Sequence, residues 1–281
     1  MAKFLTGLFV AVLIAFLAFR AKALNKSGGV AAAILGTIVF GLGGLEWALL
    51  LLIFFISSSA LSIFFDVKKG TSGENFSKGS RRDAWQVAAN GGMAGILALS
   101  HFILSKFASA SELLPPLWIS FGASLAAANA DTWGTELGLL NPGKPVLLCT
   151  FKRVPKGTSG GVSLVGTLAS LGGSALVGGA MGLLALAGWG HGGDMSPFMQ
   201  FFLITASGLF GALVDSLLGA SLQAIYYCTV CKKETEQHPL HRCGNPTEHL
   251  RGLTWVNNDW VNAACTISAG IMGLLLAILL N

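Results

Sequence analysis

Charge is scarce in this sequence. Asp, Glu, Lys and Arg make up 11% of its 281 residues, against roughly 25% in soluble proteins. A water-facing globule of this size cannot be covered by so few ions. Cysteine is sparse as well, at 5 residues, which argues against a disulfide-stapled secreted domain. No Ser/Arg-rich polar extension precedes the first apolar run, so no organelle transit peptide is expected. What is abundant is aliphatic sequence, 53% hydrophobic, and glycine, 37 residues. The first excludes disorder. The second follows no three-residue period, which excludes a collagen-like chain. These properties describe a polytopic membrane protein.

A membrane-crossing helix needs about 20 mostly apolar residues. Eight stretches qualify: Phe4–Phe19, Gly28–Leu45, Trp47–Phe65, Ala84–Lys106, Pro116–Leu139, Val162–Gly188, Pro197–Ala220 and Asn258–Leu280. The runs are too long and too uniformly apolar for barrel strands. Sixteen of the 18 Lys and Arg fall in alternate loops, after the first, third, fifth and seventh runs; Lys3 and Lys106 are the exceptions. By the positive-inside rule those four loops are cytoplasmic and both termini external. The net charge of +5 thus reflects topology, and no nucleic-acid partner is expected. The first run has more positive charge after it than before it, so it reads as a retained span rather than a signal peptide. A bacterial or archaeal plasma membrane is expected, or a thylakoid or chloroplast-envelope membrane in a photosynthetic source.

Lys69-Gly70-Thr71-Ser72-Gly73 recurs letter for letter as Lys156-Gly157-Thr158-Ser159-Gly160. Each copy lies in a basic loop before a helical hairpin, and the returning helices carry Asp131 and Asp215. Ser27-Gly28-Gly29-Val30 echoes Ser159-Gly160-Gly161-Val162, and its hairpin ends at Asp66. The pattern predicts repeated hairpins in parallel orientation. Gly166, Ser170, Ser174, Gly178 and Gly182 recur every four residues, a small-residue stripe for close helix packing.

Acids inside or at the ends of spans are costly. Asp66, Asp131, Glu136, Asp215 and Asp259 all sit near cytoplasmic helix ends. Arg82, Gln86 and Asn90 form one stripe at that depth, Ser59, Ser62 and Asp66 another, and Asn129, Asn258 and Asn262 join them. Asp131 and Glu136 lie about 140° apart on an ideal helix, so one shared ion requires unwinding, for which Gly134 and Gly138 offer weak points. The segment Lys152 to Ser163 is basic, then glycine-rich, and runs straight into a helix, a pattern that suits phosphate. It is not a Walker motif. Carboxylates able to hold Mg²⁺, cationic side chains and glycine turns are the parts of phosphoryl transfer.

The last basic loop contains Cys228, Cys231, His238, His241 and Cys243. Cys228, Cys231, His241 and Cys243 form the preferred tetrahedral Zn²⁺ set, with His238 as substitute. Cys149 and Cys265 read as small hydrophobes. The expected fold is all-α and membrane-integral, a single domain over residues 1–281. It has about eight spans, internal hairpin repeats, a polar cluster at the cytoplasmic ends, and a cytoplasmic Cys/His-rich loop at 221–257.

Five segments then resemble a known family. Arg81-Arg82-Asp83-Ala84-Trp85-Gln86-Val87-Ala88-Ala89-Asn90-Gly91 is similar to one motif of the membrane family that includes plant phytyl-phosphate kinase. Ala130-Asp131-Thr132-Trp133-Gly134-Thr135-Glu136-Leu137-Gly138 resembles its most distinctive signature. Gly157 to Ser170, Val214 to Gln223 and Asn257 to Asn262 resemble three more. The resemblance implies transfer of a nucleotide γ-phosphoryl group to an isoprenoid monophosphate such as phytyl phosphate, on the route to tocopherols and phylloquinone. Similarity to CTP-using phytol and dolichol kinases implies CTP as donor. It further implies Mg²⁺ at Asp131, Glu136 and Asp215, and nucleotide phosphates at Lys152, Arg153, Lys156, Gly157, Thr158, Ser159, Gly160 and Gly161. Arg81, Arg82, Gln86 and Asn90 would face the acceptor phosphate or nucleotide, with Asn258 and Asp259 completing a polar floor. The prenyl tail would lie between helices, with the small-residue stripes as a wall. Two other readings share these features: a lipid or ion transporter or flippase, which needs polar groups through to both faces, and a membrane cytidylyltransferase, which would release pyrophosphate.

Overall fold

The computed structural model describes residues 2–66 and 81–280. The first copy of the repeated pentapeptide, Lys69 to Gly73, lies outside the described residues, as do Lys68, Lys78 and the Asp66 side chain. Among the described residues, eight helices are long and apolar enough to cross a membrane, the second only together with the π turn that continues it to Gly43. They are α1 (Ala2–Arg20), α2 (Lys26–Ile38), α3 (Leu45–Asp66), α4 (Ala84–Leu104), α5 (Leu114–Gly138), α6 (Leu164–Leu186), α7 (Pro197–Ser221) and α8 (Asn258–Leu280). All eight expected spans are present, within about three residues at most ends.

Helix ends follow local chemistry. Asn25, Asp83, Ser163 and Ser196 cap the helices that follow them, each accepting from a backbone N–H in the first turn. Such caps satisfy donors that the helix itself leaves unpaired. At Asp83 the cap is reciprocal, because the Asp83 N–H donates to Gln86 Oε1 at 3.1 Å. The second span is not one α-helix as expected. It passes into a π turn at Val39–Gly43 and breaks at Gly44, whose φ is 115°. Glycine makes this possible, since a side chain at Gly41 or at Gly7 of α1 would overlap the other helix.

Helix α5 is the hub. It packs on α3, α4, α6, α7 and α8, and every residue from Pro116 to Ala130 is buried. It is also among the least apolar of the spans, which is consistent because its neighbours are protein rather than lipid. Gly122, Ala123, Ser124, Ala126, Ala127 and Ala128 let other backbones come close. Gly211 of α7 faces Ala127, and a Cβ there would stand 2.8 Å from the Cys265 carbonyl of α8. Interhelical hydrogen bonds pin the contacts: Ser120 to the Gly270 carbonyl at 2.7 Å, Thr266 to the Ala89 carbonyl at 3.0 Å, and Ser174 to the Thr205 carbonyl at 2.8 Å. Asn129 accepts from Ser57 and donates to the Gly173 carbonyl, both at 2.8 Å. It is a clip joining α3, α5 and α6.

The basic loops gather at one end of the bundle. There β1 (Val146–Leu147) pairs with β2 (Gly161–Val162). The segment read as a Cys/His-rich loop contains a small antiparallel sheet of β3 (Ile225–Cys228), β4 (Lys233–Thr235) and β5 (Thr247–Arg251), in the order β4-β3-β5. The opposite end is closed by aromatic rings. Trp47 is fully buried against His101, Trp118 and Phe121, at centroid distances of 4.8, 4.8 and 4.5 Å. His191 reaches Glu46 across this plug at 3.2 Å.

The α6 stripe is tightly packed along its length. A Cβ at Gly178 would lie 2.6 Å from Thr205 Oγ1 and 2.9 Å from the Phe201 carbonyl. Gly178→Leu is therefore expected to destabilise the bundle by about 1–3 kcal/mol through overpacking, seen as a lower unfolding temperature in detergent. An unchanged temperature would show that α6 and α7 are not in tight contact.

Candidate active site

A polar cavity of about 330 Å³ opens at the basic end of the bundle. That is near the lower bound for small-molecule sites and suits compact, charged groups. Its walls come from the ends of α3 to α8 and from the loop before α6. On α5 it reaches from Asp131 to Leu139, about 12 Å of helix. Along α5 it is therefore confined to one half of the bundle.

Asp131 and Asp215 meet in this chamber. Their carboxyl groups lie within hydrogen-bonding reach of each other, and among the described residues Asp215 Oδ2 is buried without a hydrogen-bond partner. Two adjoining carboxylates repel each other unless a cation or a shared proton lies between them. This donor pair, with an orphaned oxygen, fits a divalent cation. Glu136 takes a different place. Helix α5 does not unwind: it continues unbroken to Gly138. Gly134 and Gly138 are contact points, not hinges. A Cβ at Gly134 would run into Ser170 Oγ, and one at Gly138 would stand 3.3 Å from the Gly166 Cα. Among the described residues, Glu136 does not join the two aspartates in one metal-sized group. It is buried, lines the same chamber and acts electrostatically on Arg82.

Arg82 is held from several sides. Its N–H donates to the Ala23 carbonyl at 3.0 Å, and its carbonyl accepts from Asn25 at 3.0 Å. The glycine at position 28 is required here, because a Cβ would strike the Arg82 carbonyl. The guanidinium donates to Ser58 Oγ at 2.9 Å and lies 5.4 and 5.8 Å from the ring centres of Phe54 and Phe55. Desolvation pulls its pKa down to about 10, while Glu136 and then Asp131 pull it back up. It stays charged at neutral pH.

Gly157, Thr158, Ser159, Gly160, Gly161 and Ser163 form the chamber's second wall. The turn leads into the N-terminus of α6, where Ser163 accepts from the Gly166 N–H at 3.1 Å. Gly157 and Gly160 have φ of 80° and 77°, a backbone that side chains disfavour. A Cβ at Gly160 would also collide with the backbone of Ala220. The loop is fixed to α7 by Arg251, which donates to the carbonyls of Gly219, Ala220 and Ser159. Ser159 donates to Gln223 Oε1 at 2.6 Å, and Gln223 donates on to Glu236 at 2.9 Å.

Lys156, Gln86, Asn90, Asn258 and Asn262 also line the chamber. Lys156 spends one donor on the Leu139 carbonyl at 3.3 Å. Arg81, Lys152 and Arg153 do not line it; all three are solvent-exposed. Arg153 is instead bridged to Val146 beside the β1–β2 ladder. Asp259 lies next to the lining, in the first turn of α8. Arg242 and Glu236 do line the chamber, and the sequence alone did not single them out. Both arrive with the β3–β5 sheet, so only their proximity to the Cys/His pattern could have signalled them.

That sheet brings Cys228, Cys231, His241 and Cys243 together, with ligand atoms all within 4.8 Å of one another. Cys228 and Cys243 sulfurs are 3.6 Å apart, and His241 Nδ1 is 3.2 Å from Cys243 Sγ. Two thiolates on one zinc stand about 3.8 Å apart, given Zn–S bonds of about 2.3 Å, so the spacing fits. Hydrogen bonds from Asn245 and then His241 pull the Cys243 thiol down to about 6. The hydrogen bond to Cys243 chiefly holds Cys231 up, at about 11. His238 is turned away and stacks on Tyr226 at 4.4 Å. Cys265 is buried between α5 and α7, whereas Cys149 is exposed.

Residues 9–270 match the family described as Integral membrane protein DUF92. The chain belongs to this family. It is 32% identical to Protein PGR of Arabidopsis thaliana, covering 92% of this chain and 91% of that one. An uncharacterized membrane protein of Methanocaldococcus jannaschii is 30% identical, covering 97% of this chain and 95% of that protein. Protein VTE6, chloroplastic, of Arabidopsis thaliana is 28% identical over 90% of this chain and 65% of its own length. No solved structure matches. The matched region includes every wall of the chamber, so the DUF92 family is defined over the parts that build this site.

The turn at Gly160 can be tested without a substrate. Gly160→Ala adds strain of about 1–3 kcal/mol and a clash with α7. The loop should detach, and trypsin should cleave after Lys156 faster than in the parent protein. Equal cleavage rates would show that the loop does not depend on this contact.

Proposed function

We propose that this DUF92 protein is a membrane-embedded kinase of isoprenoid monophosphates, using a nucleoside triphosphate at its cytoplasmic face. The observation that carries this reading is one polar chamber at the basic end of the bundle. It joins an acidic pair on α5 and α7 to a glycine turn at the head of α6, with Arg82 opposite. The resemblance of five segments to the family that includes plant phytyl-phosphate kinase supports the same chemistry, with CTP as the favoured donor. The aromatic plug around Trp47 weighs against a transporter, which needs a polar route to both faces.

In this reading Asp131 and Asp215 hold Mg²⁺, with Glu136 balancing Arg82. Bound Mg²⁺ would neutralise charge on the β- and γ-phosphates, as phosphoryl transfer requires. Backbone N–H groups of Gly157 to Gly161, the N-terminus of α6 and Lys156 receive the donor's phosphates. Arg82 orients the acceptor phosphate, helped by Asn90 about two turns further along the same stripe. An oxygen of that phosphate attacks the γ-phosphorus in line. The bond from that phosphorus to the β,γ-bridging oxygen breaks, and the nucleoside diphosphate leaves. No residue of the protein becomes covalently modified. The four-ligand cluster holds structural Zn²⁺, which fastens the sheet carrying Glu236 and Arg242 over the chamber.

Purified protein in detergent should move label from γ-labelled CTP or ATP to phytyl or geranylgeranyl phosphate, given Mg²⁺. The products should be a prenyl diphosphate and a nucleoside diphosphate. Release of pyrophosphate would indicate a cytidylyltransferase instead, and absence of transfer to any prenyl phosphate would overturn the kinase reading. Asp131→Asn should lower turnover by about 10²–10³-fold, the usual cost of one lost electrostatic contact to a transition state, with an unchanged unfolding temperature. For the sheet, elemental analysis should give about one zinc per chain, and Cys228→Ser should remove most of it. Stable, zinc-free protein would refute the metal assignment.

A further inference from the structure

A second cavity lies between α1, α2, α3 and α4. Its lining is apolar except for three residues, Arg82, Gln86 and Asn90. The same three residues line the polar chamber. The two cavities therefore share a wall, and that wall is the cationic and amide stripe at the start of α4.

We infer that this slot holds the hydrocarbon chain of an anionic single-headed lipid whose phosphate sits at Arg82 in the polar chamber. The inference rests on the lipid-phosphate reading of that chamber and deepens it by placing the chain. A soluble nucleotide or sugar has nothing to gain from an apolar slot. A molecule with a charged head and an aliphatic tail fits both compartments at once. Arg82 supplies the charge complementarity at the junction. Its backbone is clipped to the α1–α2 turn and its guanidinium is braced on Ser58, Phe54 and Phe55, so it cannot swing away from the mouth.

The slot is also the right shape for a chain. Along α3 its lining runs from Leu45 to Phe55, about 15 Å of helix. That is half of a hydrocarbon core of roughly 30 Å, and it runs from the level of Phe54 and Phe55, where Arg82 sits, towards the external end of α3. Small side chains keep it open: Ala15 and Ala18 on α1 and Ala48 on α3 present only methyl groups. The small-residue stripe of α6 is not this wall. Its upper part is packed against α5 and α7, which leaves the α1–α4 side as the place for a tail.

The test uses the full-length protein in detergent. A photoreactive probe, an alkyl monophosphate of about geranylgeranyl length with a mid-chain diazirine, is cross-linked and mapped. Label should appear on α1, α2 or α3, and excess geranylgeranyl phosphate should suppress it. Label on α6 or α7, or label on α1–α3 that the competitor does not suppress, would overturn the slot. Transfer activity is scored separately. Suppressible labelling of α1–α3 without transfer leaves the slot standing and removes the kinase reading; transfer with labelling elsewhere does the reverse. A graded pair, Ala15→Val and Ala15→Phe, adds a kinetic readout. The ratio of KM for geranylgeranyl phosphate to KM for dimethylallyl phosphate should rise about tenfold or more with Phe, the scale set by steric misfit in an apolar pocket. An unchanged ratio in a folded Ala15→Phe protein would count against the slot.

Discussion

The close approach of α5 to its neighbours is the constraint on which the rest of this molecule depends. In lipid, helices gain little from burying apolar surface against one another, so association relies on contact area and hydrogen bonds. Residues without bulk supply the contact: Gly134 and Gly138 against Gly166 and Ser170, Gly173 against Asn129, and Gly211 against Ala127. The same closeness brings Asp131 and Asp215 from two different helices to one point. Two carboxyls brought together in a desolvated place are unfavourable unless something cationic joins them. The packing that stabilises the bundle thus also creates the demand that a cation would meet.

Around that acidic pair the protein arranges fixed cationic and dipolar groups rather than mobile ones. Arg82 is tied through its backbone to the α1–α2 turn and through its side chain to α3. The glycine turn at 157–161 is tied to α7 by Arg251 and to the β3–β5 sheet through Ser159, Gln223 and Glu236. Fixing donors before a ligand arrives is what makes electrostatic stabilisation effective, because the groups need not reorganise during reaction. The sheet is small and has little core of its own. A metal among Cys228, Cys231, His241 and Cys243 would give it the rigidity that a short three-stranded sheet lacks.

Much of the fold was legible because lipid imposes a length. Eight apolar runs and the alternation of Lys and Arg were enough to find the spans. Local rules then set the ends, through Asn25, Asp83, Ser163 and Ser196. The site was legible in part. Asp131, Asp215, Arg82, Gln86, Asn90 and the Gly157–Gly161 turn all reach one chamber, since each was a polar group that a membrane tolerates only with a purpose. Other features were misread for physical reasons. Glycine inside a helix signals weakness and close packing equally, so Gly134 and Gly138 looked like hinges. Lys152 and Arg153 stand next to the turn in sequence, but the β1–β2 ladder points that stretch outward. Arg242 and Glu236 are ordinary loop charges until the sheet folds. The sheet itself was hinted only by Ile225-Tyr226-Tyr227, a run of β-favouring residues overshadowed by the cysteines.

The two cavities differ in what they leave for a ligand to do. The polar chamber sets like charges on α5 and α7 together, among the cationic side chains of Arg82, Lys156 and Arg242. Apart from Arg82, Gln86 and Asn90, the apolar slot is lined with groups that have no polar demands. A purely aqueous ligand would satisfy the first and leave the second as wasted space; a purely apolar one would do the opposite and leave Arg82 facing hydrocarbon, which is costly. Only an amphiphile with its charge at one end relieves both at once. Because Arg82, Gln86 and Asn90 stand at the boundary, the head of such a molecule is delivered to the acidic pair by the same contact that admits its tail. Position along the membrane normal is then set by the tail, and orientation of the phosphate by the arginine, before any nucleotide enters.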